Sequence, residues 1–272
     1  MLLSYIHHWI DQSSRIRIFL VLLFLGLLAY ANAIHHPFVH DDVVFIEKNP
    51  YIGDLDLKDI FFRTVTPDEK NQLVNKYYRP LLDLVNRVLY RIIGLNPHGF
   101  HFFNILLHII NSFLVYLLVL SISGRRKGFS LVIALLFLLH PVQNEAVACI
   151  SGVSNLVFAF LCLASFYAYL TAMHGKKDRR DFPLYGVSLV LFLGALLAKE
   201  QAVVVPFLVM AYEMCFSARS QRETVKKNWL PGAGLGAVLA GYFFLRKILF
   251  GFSITRMFDR DGEFWLRLLA IP

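Results

Sequence analysis

Two adjacent carboxylates, Asp41 and Asp42, follow His40 at the end of the stretch Pro37-Phe38-Val39-His40-Asp41-Asp42. A carboxylate at a partly dry site can serve as general base toward a hydroxyl. Paired acids beside a histidine also begin a ligand set for a divalent metal, with His40, Asp41 and Asp42 as the candidates. The plain alternative is a solvated loop start or a helix cap. Other groups widen the chemistry. The turn His140-Pro141-Val142-Gln143-Asn144-Glu145 holds a single acid, Glu145. Lys199-Glu200 interrupts an otherwise apolar run from Leu184 to Met214, where charge is costly and usually functional. Arg79, within Lys76-Tyr77-Tyr78-Arg79-Pro80, and Arg246-Lys247 border apolar runs. Such cations either hold a phosphate or anchor the chain at a membrane edge. His101, Asn104, His108 and Asn111 are spaced by three, four and three residues, which puts them on one helix face. That strip either lines a substrate cleft or bonds one helix to the next.

The elements that must position these groups are apolar spans. The chain is 57% hydrophobic and 17% charged, against roughly 25% charged in a soluble domain, so the fold class is an all-α polytopic membrane protein. Apolar runs lie near residues 16–33, 102–121, 129–139, 156–173, 184–198, 202–216 and 230–250, and an eighth begins near Phe264. The third and fifth fall short of the roughly 20 residues that a span needs. They must extend through polar residues such as His140 and Lys199, or sit inside a cavity. Ala31-Asn32-Ala33 has the small-x-small pattern of a cleavage site, but a retained anchor is the expectation. Residues 35–99 form a long first loop. It is expected to carry two interfacial helices, one over about 54–62 and one starting at Pro80. The second sets Leu81, Leu84, Val85, Val88, Leu89 and Ile92 on one face, with Asp83 and Arg87 one turn apart. Gly232, Gly236 and Gly241 in the seventh run predict close helix packing.

The net charge of +8 does not form a nucleic-acid patch. It lies in short loops: Arg125, Arg126 and Lys127; then Lys176, Lys177, Arg179 and Arg180; then Arg219, Arg222, Lys226 and Lys227. These alternate with loops poor in basic residues, which predicts a cytoplasmic N-terminus. Asp41-Asp42, the turn at 140–154 and Lys199-Glu200 then share the non-cytoplasmic side, as one site would require. Cys149, Cys162 and Cys215 have neither paired nor zinc spacing. No nucleotide-binding glycine loop or HExxH pattern occurs.

Taken in order, Phe38-Val39-His40-Asp41-Asp42, Asn49-Pro50, Tyr78-Arg79-Pro80-Leu81, Gly99-Phe100-His101, Asn104, His108, Asn111, His140 to Val147, Ile150-Ser151-Gly152 and Lys199-Glu200 resemble one family. It is the transmembrane and tetratricopeptide-repeat O-mannosyltransferases with their bacterial relatives, within the GT-C membrane glycosyltransferases. The resemblance runs from about Phe38 to Pro206 and implies a GT-C-like helix bundle. It implies a polyprenyl-phosphate-linked sugar donor, mannose among the candidate sugars, and a protein or glycan acceptor hydroxyl. The membrane would be a bacterial inner membrane or the endoplasmic reticulum, with the site facing periplasm or lumen. Asp41-Asp42 would be the acidic motif of the first external loop. A lipid-phosphate leaving group needs a cation, for which Arg79, Lys199 and Arg246 are the candidates, and Glu200, His108, Glu145 and His140 are the further candidates for substrate binding. Many members carry Arg and Asp where this chain has Val153 and Asn155. The family pattern also implies further spans and a repeat domain, so the chain is expected to be the N-terminal part of a longer protein. The rival functions are a secondary transporter, with acids and histidines relaying ions, and a non-catalytic membrane scaffold.

Overall fold

The computed structural model describes residues 12–62, 66–67, 73–74, 78–174, 181–216 and 221–250. The expected eighth run and the basic residues of the 175–180 and 217–220 loops lie outside them. Among the described residues the architecture is helical, apart from a two-residue antiparallel ladder pairing Thr66 with Val74 and Pro67 with Leu73. Helix α1 is Arg15–Tyr30, extended by a 3-10 turn at Ala31–His35. The first loop carries α2, Leu57–Phe62, and α3, Pro80–Ile93. Then follow α4, Pro97–Ile122; α5, Lys127–Leu139; α6, Asn144–Ala148; α7, Val153–His174; α8, Phe182–Ala198; α9, Val204–Phe216; and α10, Gln221–Phe250.

Among the described residues, four segments are long and apolar enough to cross a bilayer: Arg15–His35, Pro97–Ile122, Ile150–His174 and Pro231–Leu249. A fifth arises if α5 and the segment Pro141–Ala148, bent 47° from it, are one broken span. With α8 at 17 residues and α9 at 13, neither reaches span length alone. The protein is an integral membrane protein with several helical crossings. Its α1 shows the division of faces. Ile18, Leu22, Gly26 and Tyr30 are buried, while Ile16, Leu20, Phe24 and Leu28 are exposed. Both sets repeat every four residues, so one helix stripe faces protein and another faces lipid.

Local sequence sets the helix ends. Ser14 Oγ accepts from Arg17 N–H, Asn96 Oδ1 from His98 N–H and Asp181 Oδ1 from Leu184 N–H, which caps α1, α4 and α8. Pro80, Pro97 and Pro183 stand in first turns, where a missing N–H costs nothing. Pro141 ends α5: His140 turns extended at φ −67°, ψ 129°, and its Nδ1 accepts from Val142 N–H at 3.2 Å. That removes the i+4 donor from the Leu138 carbonyl. Tyr30 Oη–H at 3.0 Å and His108 Nε2 at 3.1 Å take its place.

His108 belongs to the polar strip, and the strip's role follows from its partners. His101 Nε2 reaches the His36 carbonyl at 3.1 Å, Asn104 Nδ2 donates to the Cys149 carbonyl at 2.9 Å, and Asn111 Nδ2 donates to the Leu156 carbonyl at 3.0 Å. All four side chains are buried. The strip binds α4 to backbone that has left regular helix geometry or is just entering it. His108→Ala therefore should lower stability by roughly 1–2 kcal/mol, with Tyr30 still serving Leu138. Thermal unfolding in detergent, read beside turnover, checks this. Activity should fall only as the folded fraction falls.

The first loop folds onto the bundle. Ile46, Leu89, Phe100 and Ile150 form a small core beneath it. As expected, Asp83 and Arg87 pair, at 2.8 Å. Arg87 is nonetheless buried, because its Nη1 also donates to the Asp54 carbonyl at 2.7 Å. Val88 and Ile92 of the apolar face stay exposed, with Leu57, Phe62 and Leu95, as suits an interfacial layer. One packing expectation needs correcting. A Cβ at Gly232, Gly236 or Gly241 would meet nothing within 4 Å, whereas at Gly234 it would strike the Tyr185 hydroxyl. Tyr185 Oη–H donates to the Pro231 carbonyl at 2.6 Å. The close approach of α8 to α10 thus uses the one glycine of the four on the protein-facing side.

Candidate active site

The acidic pair is split by a tight turn. His40 takes a left-handed conformation, φ 47°, which is uncommon for a residue with a side chain. Asp42 N–H donates to the Val39 carbonyl at 3.0 Å, and Val43 N–H to the His40 carbonyl at 3.2 Å. The turn drives Asp42 inward and Asp41 outward. Fully buried, Asp42 accepts from Val39 N–H through Oδ2 at 3.2 Å and from Ser151 N–H through Oδ1 at 2.7 Å. It closes its own turn and fastens the first loop to the segment entering α7. Asp41 is exposed and makes no hydrogen bond among the described residues.

A cleft of about 340 Å³ opens beside it, lined by Val39, His40 and Asp41 from the first loop, Glu145 from α6, Cys149 just after α6, and Ser151, Gly152, Ser154 and Asn155 where α7 begins. The upper strip residues of α4 hold both walls. His101 grips His36 just before the acidic turn, and Asn104 grips the carbonyls of Cys149 and Ile150. Gly152 is required there, since a Cβ would run into the Ala146 carbonyl. Burial first, then the carboxylates of Asp42 and Glu145, push the Cys149 thiol up from its ordinary pKa. The thiol therefore stays protonated and is a poor nucleophile.

A basic arm joins the cleft at Asn155. Lys199, extended between α8 and the 3-10 turn Glu200–Val203, donates through Nζ to Asn155 Oδ1 at 2.5 Å. Burial and then the Arg79 guanidinium push the Lys199 ammonium below its usual range, with Glu200 opposing. Arg79 Nη2 lies 3.8 Å from Glu200 Oε1. On α10, Arg246 Nη1 donates to Tyr242 Oη at 3.4 Å. Burial and then Tyr242 raise the Tyr78 phenol, and the Arg246 guanidinium opposes them. Two acids, Asp41 and Glu145, thus line the cleft, and three cations, Arg79, Lys199 and Arg246, gather in the adjoining arm with one acid, Glu200.

Of the residues singled out in the sequence, Asp41, His40 and Glu145 meet in the cleft, and Lys199 reaches it through Asn155. Arg79, Glu200 and Arg246 form the adjoining arm. His108 is sealed between α4 and α5, and the exposed His140 caps the turn at Pro141–Gln143; neither lines the cleft. No three His, Cys, Asp or Glu side chains come together as a metal site among the described residues. Asp42, moreover, spends its oxygens on two amides. The proposed metal trio of His40, Asp41 and Asp42 does not fit.

Cys149 and Ser154 were not singled out from the sequence, nor was Glu213. Buried on α9, Glu213 accepts from Tyr169 Oη–H at 3.0 Å and contacts His174 Nε2 at 2.7 Å. A lone acid in an apolar run was its available signal.

A family model described as dolichyl-phosphate-mannose-protein mannosyltransferase matches residues 79–244, more than half of the chain. The chain belongs to this family. It is 34% identical over 205 residues to protein O-mannosyl-transferase TMTC4 of Mus musculus, covering 68% of this chain and 28% of that protein. It is 29% identical over 207 residues to TMTC1 of the same organism, covering 71% and 22%. It is 25% identical over 259 residues to protein O-mannosyl-transferase F38B6.6 of Caenorhabditis elegans, covering 92% and 34%. The chain therefore spans about a fifth to a third of the length of these relatives. No solved structure matches it.

Proposed function

We propose that the protein transfers mannose from a polyprenyl-phosphate-linked donor to a protein hydroxyl, in this cleft and on the non-cytoplasmic face. The observation that carries the reading is the cleft's polarity: Asp41 and Glu145 line it, and the Lys199–Arg79–Arg246 arm adjoins it. In a transfer with inversion, Asp41 takes the proton of the acceptor hydroxyl as its oxygen bonds to C1 of the sugar. The C1–O bond to phosphate breaks, and its electron pair stays on the phosphate oxygen. Charge grows on that phosphate through the step, so cations at the far end stabilise the transition state more than the ground state. Asp42 holds the loop that presents Asp41, and Glu145 orients the acceptor.

The sidedness follows from basic loops alternating with the loops of the site. Val142, 73% exposed in the site's turn, reports it: Val142→Cys should react with an impermeant thiol reagent only from the non-cytoplasmic side. Labelling from the cytoplasm alone would remove the single-site reading. Turnover tests the chemistry. The protein reconstituted in proteoliposomes should release polyprenyl phosphate from polyprenyl-phospho-mannose in the presence of a hydroxyl-bearing acceptor peptide. Gradient-dependent flux without that release would make it a transporter instead.

A further inference from the structure

The peptide unit between Ile150 and Ser151 is held at both ends. Its carbonyl, on Ile150, accepts from Asn104 Nδ2 at 3.3 Å, and its amide, on Ser151, donates to Asp42 Oδ1 at 2.7 Å. The unit is trans, so it is planar, with its C=O and N–H pointing in opposite directions. Asn104 and Asp42 therefore grip opposite edges of one rigid plate. Asn104 Nδ2 also donates to the Cys149 carbonyl at 2.9 Å. Cys149 is extended there, φ −87°, ψ 135°, and the chain then turns through Ile150–Gly152 into α7. Neither carbonyl needs Asn104 to be satisfied. That of Cys149 also accepts from Gly152 N–H at 3.1 Å, and that of Ile150 from Val153 N–H. What the buried amide of Asn104 adds is the orientation of the plate.

We infer that Asn104 is a positioning residue for Asp41, acting through the Ile150–Ser151 peptide and Asp42. Asn104 sets the plane of the peptide, and the Ser151 N–H at its far edge aims at Asp42 Oδ1. Asp42 Oδ2, accepting from Val39 N–H at 3.2 Å, closes the turn that carries Asp41. Turning the plate about its flanking bonds would swing the Ser151 N–H off Asp42 and free the acidic turn from α7. Asn104 itself does not line the cleft. The inference rests on the transferase reading for the role of Asp41. It also makes the bonds of the α4 strip unequal. Asn111, two turns further along, is just as buried and donates to the Leu156 carbonyl at 3.0 Å. Leu156 belongs to the apolar core and not to the cleft wall.

The test is a double-mutant cycle on the reconstituted protein, with Asn104→Leu, Asp41→Asn and the two together, and kcat expressed per folded molecule. Asn104→Leu should fold, because both carbonyls keep a main-chain donor. Its kcat should fall about ten- to a hundredfold, the upper figure being the worth of a group misplaced by roughly 1 Å. Donor KM should stay near that of the wild type. In the Asp41→Asn background the same change should cost almost nothing further, since the group it positions is gone. Equal losses in both backgrounds would make Asn104 purely structural and overturn the inference. Asn104→Ser, which leaves room instead of filling it, carries the same cycle should Asn104→Leu not fold. Asn111→Leu is the control: it should lower thermal stability and leave kcat per folded molecule unchanged. A kcat loss there equal to that of Asn104→Leu would also overturn the inference. Hydrogen exchange reads the link without turnover. Amides in 38–43 should exchange faster in Asn104→Leu and not in Asn111→Leu. Unchanged exchange in Asn104→Leu would overturn the inference even if the wild type transfers mannose. Faster exchange in a protein that transfers no mannose would keep the link from Asn104 to the acidic turn and remove the transferase reading.

Discussion

Replacing Asp41 with Asn should lower mannosyl turnover about a hundredfold or more, the usual worth of a positioned base. Donor affinity should stay close to that of the wild type, because in the proposed reaction the carboxylate acts at the chemical step and the phosphate is held elsewhere. The substitution is clean. Asp41 is exposed and makes no hydrogen bond among the described residues, so the amide disturbs nothing that supports the turn. Glu145 lines the same cleft from α6, and Glu145→Gln separates its role. It should raise KM for the acceptor peptide and leave most of kcat. Single-turnover release of polyprenyl phosphate checks both variants. Wild-type rates in Asp41→Asn would take the loop out of the chemistry, and a swap of the two phenotypes would make Glu145 the base.

The helices were largely legible because their signals are local. Pro80 and Pro97 announce α3 and α4, and the three-four-three spacing put the α4 strip on one face, where it stands. What lies opposite a face is not local. His108 could be seen as polar at membrane depth, but its carbonyl partner exists only because Pro141 breaks α5, thirty residues away. The glycines of α10 failed for the same reason. Spacing cannot tell which side of a helix meets protein, and Gly234 rather than its neighbours does.

Within the site, residue types were more informative than roles. Asp41 and Asp42 are chemically alike and adjacent, and only the left-handed turn at His40 decides which one is buried. Glu145 and Lys199 could be grouped on one side of the membrane from alternating loop charge. Their link through Asn155 could not, since a neutral amide at a helix start usually reads as ordinary surface. Short polar residues at turns carry weak individual signals, and Cys149 and Ser154 entered the cleft wall that way.

Asp42→Ala should be the most damaging single change in the loop, and for a different reason from Asp41. Its two oxygens accept from Val39 N–H and Ser151 N–H in a fully buried setting. Truncation leaves both amides without acceptors, at about 1–3 kcal/mol for each buried donor. The Val39 bond closes the acidic turn and the Ser151 bond ties that turn to α7, so Asp41 loses its fixed place over the cleft as the protein loses stability. Asp42→Asn is the informative partner. Its Oδ1 can still receive Ser151 N–H, while the new NH2 faces the Val39 N–H, donor against donor. It should keep the tie to α7 and loosen the turn. The expected order of thermal stability is wild type, then Asp42→Asn, then Asp42→Ala, with turnover following that order. Asp41→Asn, by contrast, should lose turnover at wild-type stability. If Asp42→Asn instead matched Asp41→Asn, with stability intact and turnover lost, Asp42 would belong to the reaction, and the buried carboxylate would be the base.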